Sequence, residues 1–407
     1  MDFKDLNLEN RLLDAINVVG YVNPTPIQEK AIPIALEGKD ILGLAQTGTG
    51  KTAGFLLPIL QRLMTGKLRS PKALILSPTR ELAEQTYEAS LDLAKFTKIH
   101  SAVIYGGVSK FRQIKALNRG VEILIACPGR LLDHINEGNI DLSGIEILVL
   151  DEADTMCDMG FLPDIQRIIT FVPKERQTLF FAATMPNEIR KLSNTILKNP
   201  ETIQIGKIEP AKTVSHVLYP TTEFLRKPML LELLNTTPTG RVIIFARTKY
   251  RVRRLESDLL KAKFRVAGLQ GNMSQNKRNQ AINGFRNGKF DILVATDVAS
   301  RGIDISEVSH VINFDIPNTV DAYIHRIGRT GRAESTGEAI TFSTPEDESM
   351  IIKIERTLRS KINRCRLENF DYKGFDKKVK SLTSTKPNNR NNFKKRRPRR
   401  NHKRSIN

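Results

Sequence analysis

The sequence predicts an α/β protein of two tandem parallel-sheet domains, joined by a short linker and followed by a disordered basic tail. Three observations carry this. Short continuous apolar runs alternate with segments of helical period, the pattern of strands covered by helices on both faces. The alternation stops at a stretch with Gly and Pro and no period, then restarts. The end of the chain is polar, Asn-rich and basic, and cannot bury enough apolar surface to fold. A length of 407 residues suits two or three domains.

In the first half, residues 41–44, 73–76, 102–105, 122–126, 147–150 and 177–181 read as strands, with a helix over 81–96. In the second half, 241–246, 292–296, 310–314 and 338–342 read as strands, with helices over 250–262 and 277–286. The expected division is a first domain over 1–207, a linker over 208–213, a second domain over 214–366 and a tail over 367–407.

Lys plus Arg number 64 against 44 Asp plus Glu, a net charge of +20 that calls for a polyanionic partner, most simply nucleic acid. Thirteen of the positive charges lie between Lys377 and Asn407 with no acid among them. Such a tail would tether nucleic acid electrostatically, with strong salt dependence. Three cysteines without metal-like spacing exclude a disulfide framework and a zinc site and fit a reducing compartment. The first residues lack the pattern of a signal peptide, and no run reaches the apolar length of a membrane span. A cytoplasmic protein is expected, and a monomer, since no coiled-coil seam is visible.

The chemistry centres on Ala45-Gln46-Thr47-Gly48-Thr49-Gly50-Lys51-Thr52. An apolar strand precedes it and a helix follows, so backbone N–H groups and the helix dipole converge as an anion cradle. Gly48 and Gly50 permit the turn and the close approach of a phosphate. Lys51 is expected on the β/γ-phosphates of ATP and Thr52 on Mg²⁺. Ala45 stands where a P-loop usually has Gly. The strand at 147–150 ends in Asp151-Glu152-Ala153-Asp154. Asp151 is placed to hold Mg²⁺ directly or through water, and Glu152 to orient and deprotonate the attacking water.

Asp151-Glu152-Ala153-Asp154 spells DEAD, and from Phe3 to about Arg359 the chain resembles a DEAD-box ATP-dependent RNA helicase, most closely the small RhlE-type branch. The resemblance implies two RecA-like domains that close on ATP and RNA. Residues 20–28 resemble the Q motif, with Phe3 at the distance of its upstream aromatic. Gln28 is then expected on the adenine edge and Tyr21 on the purine face. Pro78-Thr79-Arg80, Gly107 and Pro128-Gly129-Arg130 match the RNA-facing motifs of the first domain. They are suited to phosphates rather than bases. Cys127 stands where the family usually has Thr.

In the second domain, Arg247, Gly271 and Thr296 fall in RNA-contact motifs. The motif that continues through Gln275 and Arg278 adjoins them. Gly302 and Asp304 are expected near the γ-phosphate and ribose. His325-Arg326-Ile327-Gly328-Arg329-Thr330-Gly331-Arg332 supplies Arg329 and Arg332 as arginine fingers, a device worth about 10³–10⁵ in rate. His325 is expected to join the Asp154 side of the interface. Ala182-Ala183-Thr184 occupies the place of the family's Ser-Ala-Thr relay between ATP and domain closure. Ala182 removes a hydroxyl expected near Asp154, a hydrogen bond worth roughly 0.5–1.5 kcal/mol. ATPase activity is expected to survive, with coupling to strand separation the property at stake. The second expectation is therefore an ATP-gated RNA clamp, annealer or assembly factor with little unwinding. Ribosome-assembly and RNA-decay complexes are the expected settings.

Overall fold

The computed structural model describes residues 1–46, 48–66, 69–205, 214–236, 240–300, 308–331, 337–368 and 370–372. Four expected site residues (Thr47, Gly302, Asp304 and Arg332) and the expected linker 208–213 lie outside the described residues.

The strands are β1 (Ile41–Leu44), β2 (Ala73–Leu76), β3 (Ser101–Ile104), β4 (Ile123–Ala126), β5 (Ile147–Leu150), β6 (Gln177–Ala182) and β7 (Glu201–Gln204) in the first domain. The second has β8 (Val214–Pro220), β9 (Arg241–Phe245), β10 (Val266–Leu269), β11 (Ile292–Ala295), β12 (Val308–Asn313), β13 (Gly337–Ser343) and β14 (Asn363–Arg364). They form two seven-stranded sheets in the orders β3-β4-β2-β5-β6-β1-β7 and β10-β11-β9-β12-β13-β8-β14. The pairings are parallel throughout.

Side-chain alternation explains why the central strands are apolar without interruption. Ala73, Ile75, Ile147 and Val149 enter one core, and Leu74, Leu76, Leu148 and Leu150 enter the core on the opposite face. The second sheet does the same, with Val242 and Ile244 on one side and Ile243 and Phe245 on the other. Burying a Leu or Ile side chain contributes about 1.5–3 kcal/mol, so these runs are stable only as interior strands.

Four strands escaped the sequence reading. β7 is an edge strand with one buried residue in four, and β14 has only two residues. β8 mixes exposed and buried positions next to that edge. β10 contains Gly268, whose N–H donates to Glu256 Oε1 at 2.7 Å and where a Cβ would lie 2.4 Å from Glu256 Oε2. Described residues beyond the expected domain end at 366 also pack. Leu367, Phe370 and Tyr372 pack on the second domain's core, and the Leu367 N–H donates to Tyr372 Oη at 2.8 Å. Two aromatics among polar neighbours were too weak a pattern to read.

Candidate functional site

β1 delivers the chain into the P-loop, where Gly48 and Gly50 adopt φ of +82° and +92°. Ala45 causes no conflict, because it prolongs the sheet by donating its N–H to Ala182 O at 3.1 Å. Helix Lys51–Leu63 starts directly after Gly50. Lys51 is 6% exposed and donates to Ala45 O at 2.9 Å. Gln28 donates to Gly50 O and accepts from Thr25 N–H, both at 2.9 Å. A Cβ on Gly50 would sit 2.6 Å from Gln28 Nε2, so only glycine leaves room for this clamp. Each end of the Gln28 amide keeps one hydrogen-bonding position for an adenine edge. Tyr21 stacks on buried Phe3, with ring centroids 6.4 Å apart and 23° between planes. Gln28, Tyr21, Gly48, Gly50, Lys51, Thr52, Asp151 and Glu152 line one cavity of about 540 Å³. That volume is within the range of small-ligand sites.

Asp151 leaves β5 with its N–H donating to Leu76 O at 3.0 Å. Glu152 turns the chain through φ +51° into helix Ala153–Asp158. Both are buried, and Asp151 Oδ1 and Glu152 Oε1 have no hydrogen-bond partner. Burial pushes the Asp151 carboxyl up to about 6, against the pull of the Lys51 ammonium. Hard, orphaned oxygens beside a hydroxyl and a lysine suit a divalent cation with its waters.

Asp154 Oδ2 accepts from the N–H of Ala183 (3.0 Å), the N–H of Thr184 (2.7 Å) and Thr184 Oγ1 (3.0 Å). Ala182 itself is wholly buried at the end of β6 among apolar side chains. The hydroxyl it lacks therefore leaves no unpaired atom at Asp154. His325 makes no hydrogen bond to Asp154 among the described residues; it lines a second-domain pocket with Asp297, Arg326 and Arg329. Arg329 is 8% exposed. Arg326 donates to Asp297 Oδ2 at 2.8 Å and Asp315 O at 2.7 Å, and its guanidinium lies 4.9 Å from the Phe245 ring centroid. The first arginine of the cluster is thus committed inside its own domain.

The RNA-facing motifs gather on one face of the first domain. Pro78 is buried and Thr79 caps helix Arg80–Leu93, accepting from Leu82 N–H at 3.2 Å. Gly107, at φ +84°, lies against Arg80; a Cβ there would be 2.1 Å from Arg80 Nη1. Arg130 donates to Val108 O at 3.3 Å, and Pro128 starts helix Pro128–Asn136, with Gly129 open to solvent. Cys127 contributes no capping bond, and burial pushes its thiol up to about 12. In the second domain, Arg247 donates its N–H to Asp315 Oδ2 at 2.8 Å, Gly271 stands open, and Thr296 directly follows β11, its N–H donating to Leu269 O at 3.3 Å.

A cross-domain bridge was missing from the sequence reading. Arg278 Nε donates to Glu81 Oε1 at 2.7 Å, with both side chains under 10% exposed, and Arg80 Nη1 reaches Gln275 Oε1 at 3.4 Å. Arg278 and Gln275 lay in a motif already singled out, but nothing in one sequence pairs them with Glu81.

A P-loop and an acidic strand end on one sheet, with an arginine cluster on a second sheet of the same topology, define a two-domain nucleoside triphosphatase of helicase architecture. The DEAD/DEAH box helicase family matches residues 25–192, and the helicase conserved C-terminal domain matches residues 226–334. The chain is 46% identical to the ATP-dependent RNA helicase CshA of Limosilactobacillus reuteri, over 88% of this chain and 72% of that one. It belongs to the DEAD-box ATP-dependent RNA helicases and is an ATP-hydrolysing, RNA-binding enzyme. The DEAD-box ATP-dependent RNA helicase CshA of Geobacillus kaustophilus is 42% identical, over 91% of this chain and 79% of the relative. Among solved structures, S. cerevisiae Dbp5 bound to RNA and ADP BeF3 aligns with a TM-score of 0.80 at 32% identity, covering 94% and 98% of the two chains. A Dbp5 variant bound to Nup159, a Gle1 variant, IP6 and ADP gives 0.60 at 31% identity, covering 93% and 100%. No helix among the described residues is long and apolar enough to cross a membrane.

Proposed function

We propose that the 540 Å³ cavity binds ATP and that the two domains open short RNA duplexes by closing on it. The observation that carries this is the pair of buried carboxylate oxygens without partners, Asp151 Oδ1 and Glu152 Oε1, facing the P-loop lysine. Gln28 and Tyr21 hold adenine. The P-loop from Ala45 to Thr52 wraps the phosphates, and Lys51 exchanges Ala45 O for the β/γ-phosphate oxygens. Thr52 and Asp151 would hold Mg²⁺, which neutralises charge on the phosphates when bound. Glu152 orients a water and takes its proton as the water oxygen bonds to the γ-phosphorus. The bond to the ADP oxygen breaks, giving ADP and inorganic phosphate. Arg329 and Arg332 stabilise the charge that develops, with Gly302 and Asp304 beside the γ-phosphate and ribose. Asp154, Ala182, Thr184 and His325 carry the state of this site toward the interface.

RNA lies along Pro78, Thr79, Arg80, Gly107, Pro128, Gly129 and Arg130, then crosses to Arg247, Gly271 and Thr296. The contacts are to the backbone, so binding depends little on sequence. The Glu81–Arg278 bridge supports a closed state, as does the higher TM-score against RNA-bound Dbp5 (0.80) than against the Nup159 complex (0.60). The clamp alternative drew on the basic tail, which still allows it, and on Ala182. With Asp154 saturated by Thr184 and the backbone, the Ala182 motive falls away. The CshA-named relatives at 42–46% identity favour their own branch; an RhlE-type assignment rests on the short core and basic tail. A cytoplasmic monomer acting in ribosome assembly or RNA decay fits the charge and composition.

The test is RNA-stimulated ATP hydrolysis beside unwinding of a short RNA duplex, with wild type and Glu152→Gln. Loss of both in the variant is expected. RNA-stimulated ATPase without unwinding in the wild type would favour the clamp, and ATPase indifferent to RNA would overturn both readings.

A further inference from the structure

Phe224 and Tyr250 are 90% and 71% exposed, and neither takes part in the ATP site. Phe224 lies in the turn between β8 and helix Arg226–Thr236, and Tyr250 lies in the first turn of helix Lys249–Lys261. Glu223 joins the two segments by pairing with Arg251, and it also pairs with Arg226 Nη1 at 3.3 Å. Between them opens a cavity of about 380 Å³, where Arg226, Arg247 and Arg251 face Glu223, Glu346 and Asp347. Its charges balance, so the cavity alone does not select an anion. The surface beside it does. Arg247, Lys249, Arg253 and Arg254 are exposed, and none of their side chains is paired with a carboxylate among the described residues; the Arg247 guanidinium reaches only Ile316 O, at 3.3 Å.

The sheet order gives this face its partner. Gly271, Thr296 and Arg247 follow β10, β11 and β9, three neighbours in the sheet. The row continues through β12 and β13 to β8, after which Phe224 comes. At about 4.8 Å between neighbours, β8 stands about 14 Å from β9, and the turn that carries Phe224 reaches back along the same edge, where Glu223 pairs with Arg251 and lines one cavity with Arg247. Exposed rings among unpaired cations are how proteins hold single strands: each base offers a π-face and each phosphate a charge.

We propose that Phe224 and Tyr250 stack bases of single-stranded RNA adjoining the segment held by Arg247, Gly271 and Thr296, with Lys249, Arg253 and Arg254 on its phosphates. This rests on the RNA path given above and adds a base-dependent grip to a backbone-dependent one.

The test uses the full chain and two single-stranded RNAs of equal length and charge. One is an oligoadenylate and the other carries abasic riboses outside a central stretch of adenosines. Wild type is expected to bind the first about 10-fold or more tightly than the second. Phe224→Ala with Tyr250→Ala removes most of that preference, while Phe224→Tyr keeps it. Both rings are exposed, so the substitutions leave the core intact. Equal affinity of wild type for the two RNAs overturns the proposal. So does full preference in the double variant, which would leave the face to a protein partner. If neither RNA binds or stimulates ATP hydrolysis, the RNA path itself fails and this inference with it.

Discussion

The two sheets run in the same strand order, yet among the described residues the cavity proposed for ATP borders the first sheet. β1 corresponds to β8, β5 to β12 and β6 to β13. An aspartate follows the matched central strand in both: Asp151 after β5 and Asp315 two residues beyond β12. After β1 come Gly48 and Gly50, which leave a space bordered by an unpartnered Asp151 oxygen. After β8 comes Arg226, 4% exposed, whose Nη1 donates to Asp315 Oδ1 at 2.6 Å and whose Nη2 donates to Asp347 Oδ2 at 3.1 Å. Arg251 and the N–H of Arg247 complete the shell of Asp315. One scaffold position opens onto the cavity proposed for ATP; the other is filled by a guanidinium. Topology sets where a site can be, and the loop residues decide whether there is one.

The comparison can be broken most forcefully at the chemistry. Glu152→Gln is expected to lower RNA-stimulated ATP turnover by about 10²–10⁴ while leaving ATP binding in an equilibrium titration. Retained turnover would show that Glu152 is not the base. On the other side, Asp315→Ala takes from buried Arg226 its shortest carboxylate contact. It also takes the carboxylate that Arg251 and the Arg247 N–H share, leaving Arg226 only Asp347 and the more exposed Glu223. A loss of about 3–5 kcal/mol from the unfolding of the second domain is expected in a denaturant titration. A small loss would mean that the guanidinium is stabilised without its carboxylate.

The bridge between the sheets should matter less. Glu81→Gln is expected to raise the RNA concentration for half-maximal ATPase about 5- to 100-fold, and adding Arg278→Gln should cost little more. Additive effects would mean that the pair does not act as a unit. The pH dependence of Asp151 sharpens the contrast with its saturated counterpart. Burial raises the native Asp151 pKa above the unfolded value, to about 6, so its charge costs stability at high pH in metal-free protein and not below about pH 4. Asp151→Asn should then stabilise metal-free protein at pH 8 by on the order of 1–3 kcal/mol, and the gain should shrink as pH falls through 6 toward 4. A gain independent of pH would refute that cause. The smallest effect is expected for Ala182→Ser, with unwinding per ATP hydrolysed staying within about twofold, because Asp154 already has its partners. A large gain would restore the missing hydroxyl as a coupling defect.

Much of this was legible because local chemistry repeats itself in sequence. The central strands are apolar on both faces, so 41–44, 73–76 and 147–150 could be read to the residue. Gly48, Gly50, Lys51, Asp151 and Glu152 announce themselves by type and order. What stayed hidden depends on distant partners. Gln28 looked like a base reader, and its amide also clamps Gly50 O. His325 is expected on the Asp154 side of the interface, and the hold of Thr184 and the backbone on Asp154 is not visible in the sequence. Glu81 and Arg278 are 197 positions apart. Arg226 sits in an unremarkable polar turn, and only the sheet order shows which place it fills.

The Glu81–Arg278 bridge has a thermodynamic consequence. Its two side chains stand on the first turns of helices Arg80–Leu93 and Gln275–Arg286, next to residues proposed to meet RNA, and it can exist only when the domains are apposed. Whatever factor RNA contributes to the affinity for ATP through this closure, ATP must contribute equally to the affinity for RNA. The protein is then a coincidence detector: each ligand alone bears the cost of apposing the domains, and the pair shares it. Hydrolysis removes one of the two, so release of RNA needs no separate trigger.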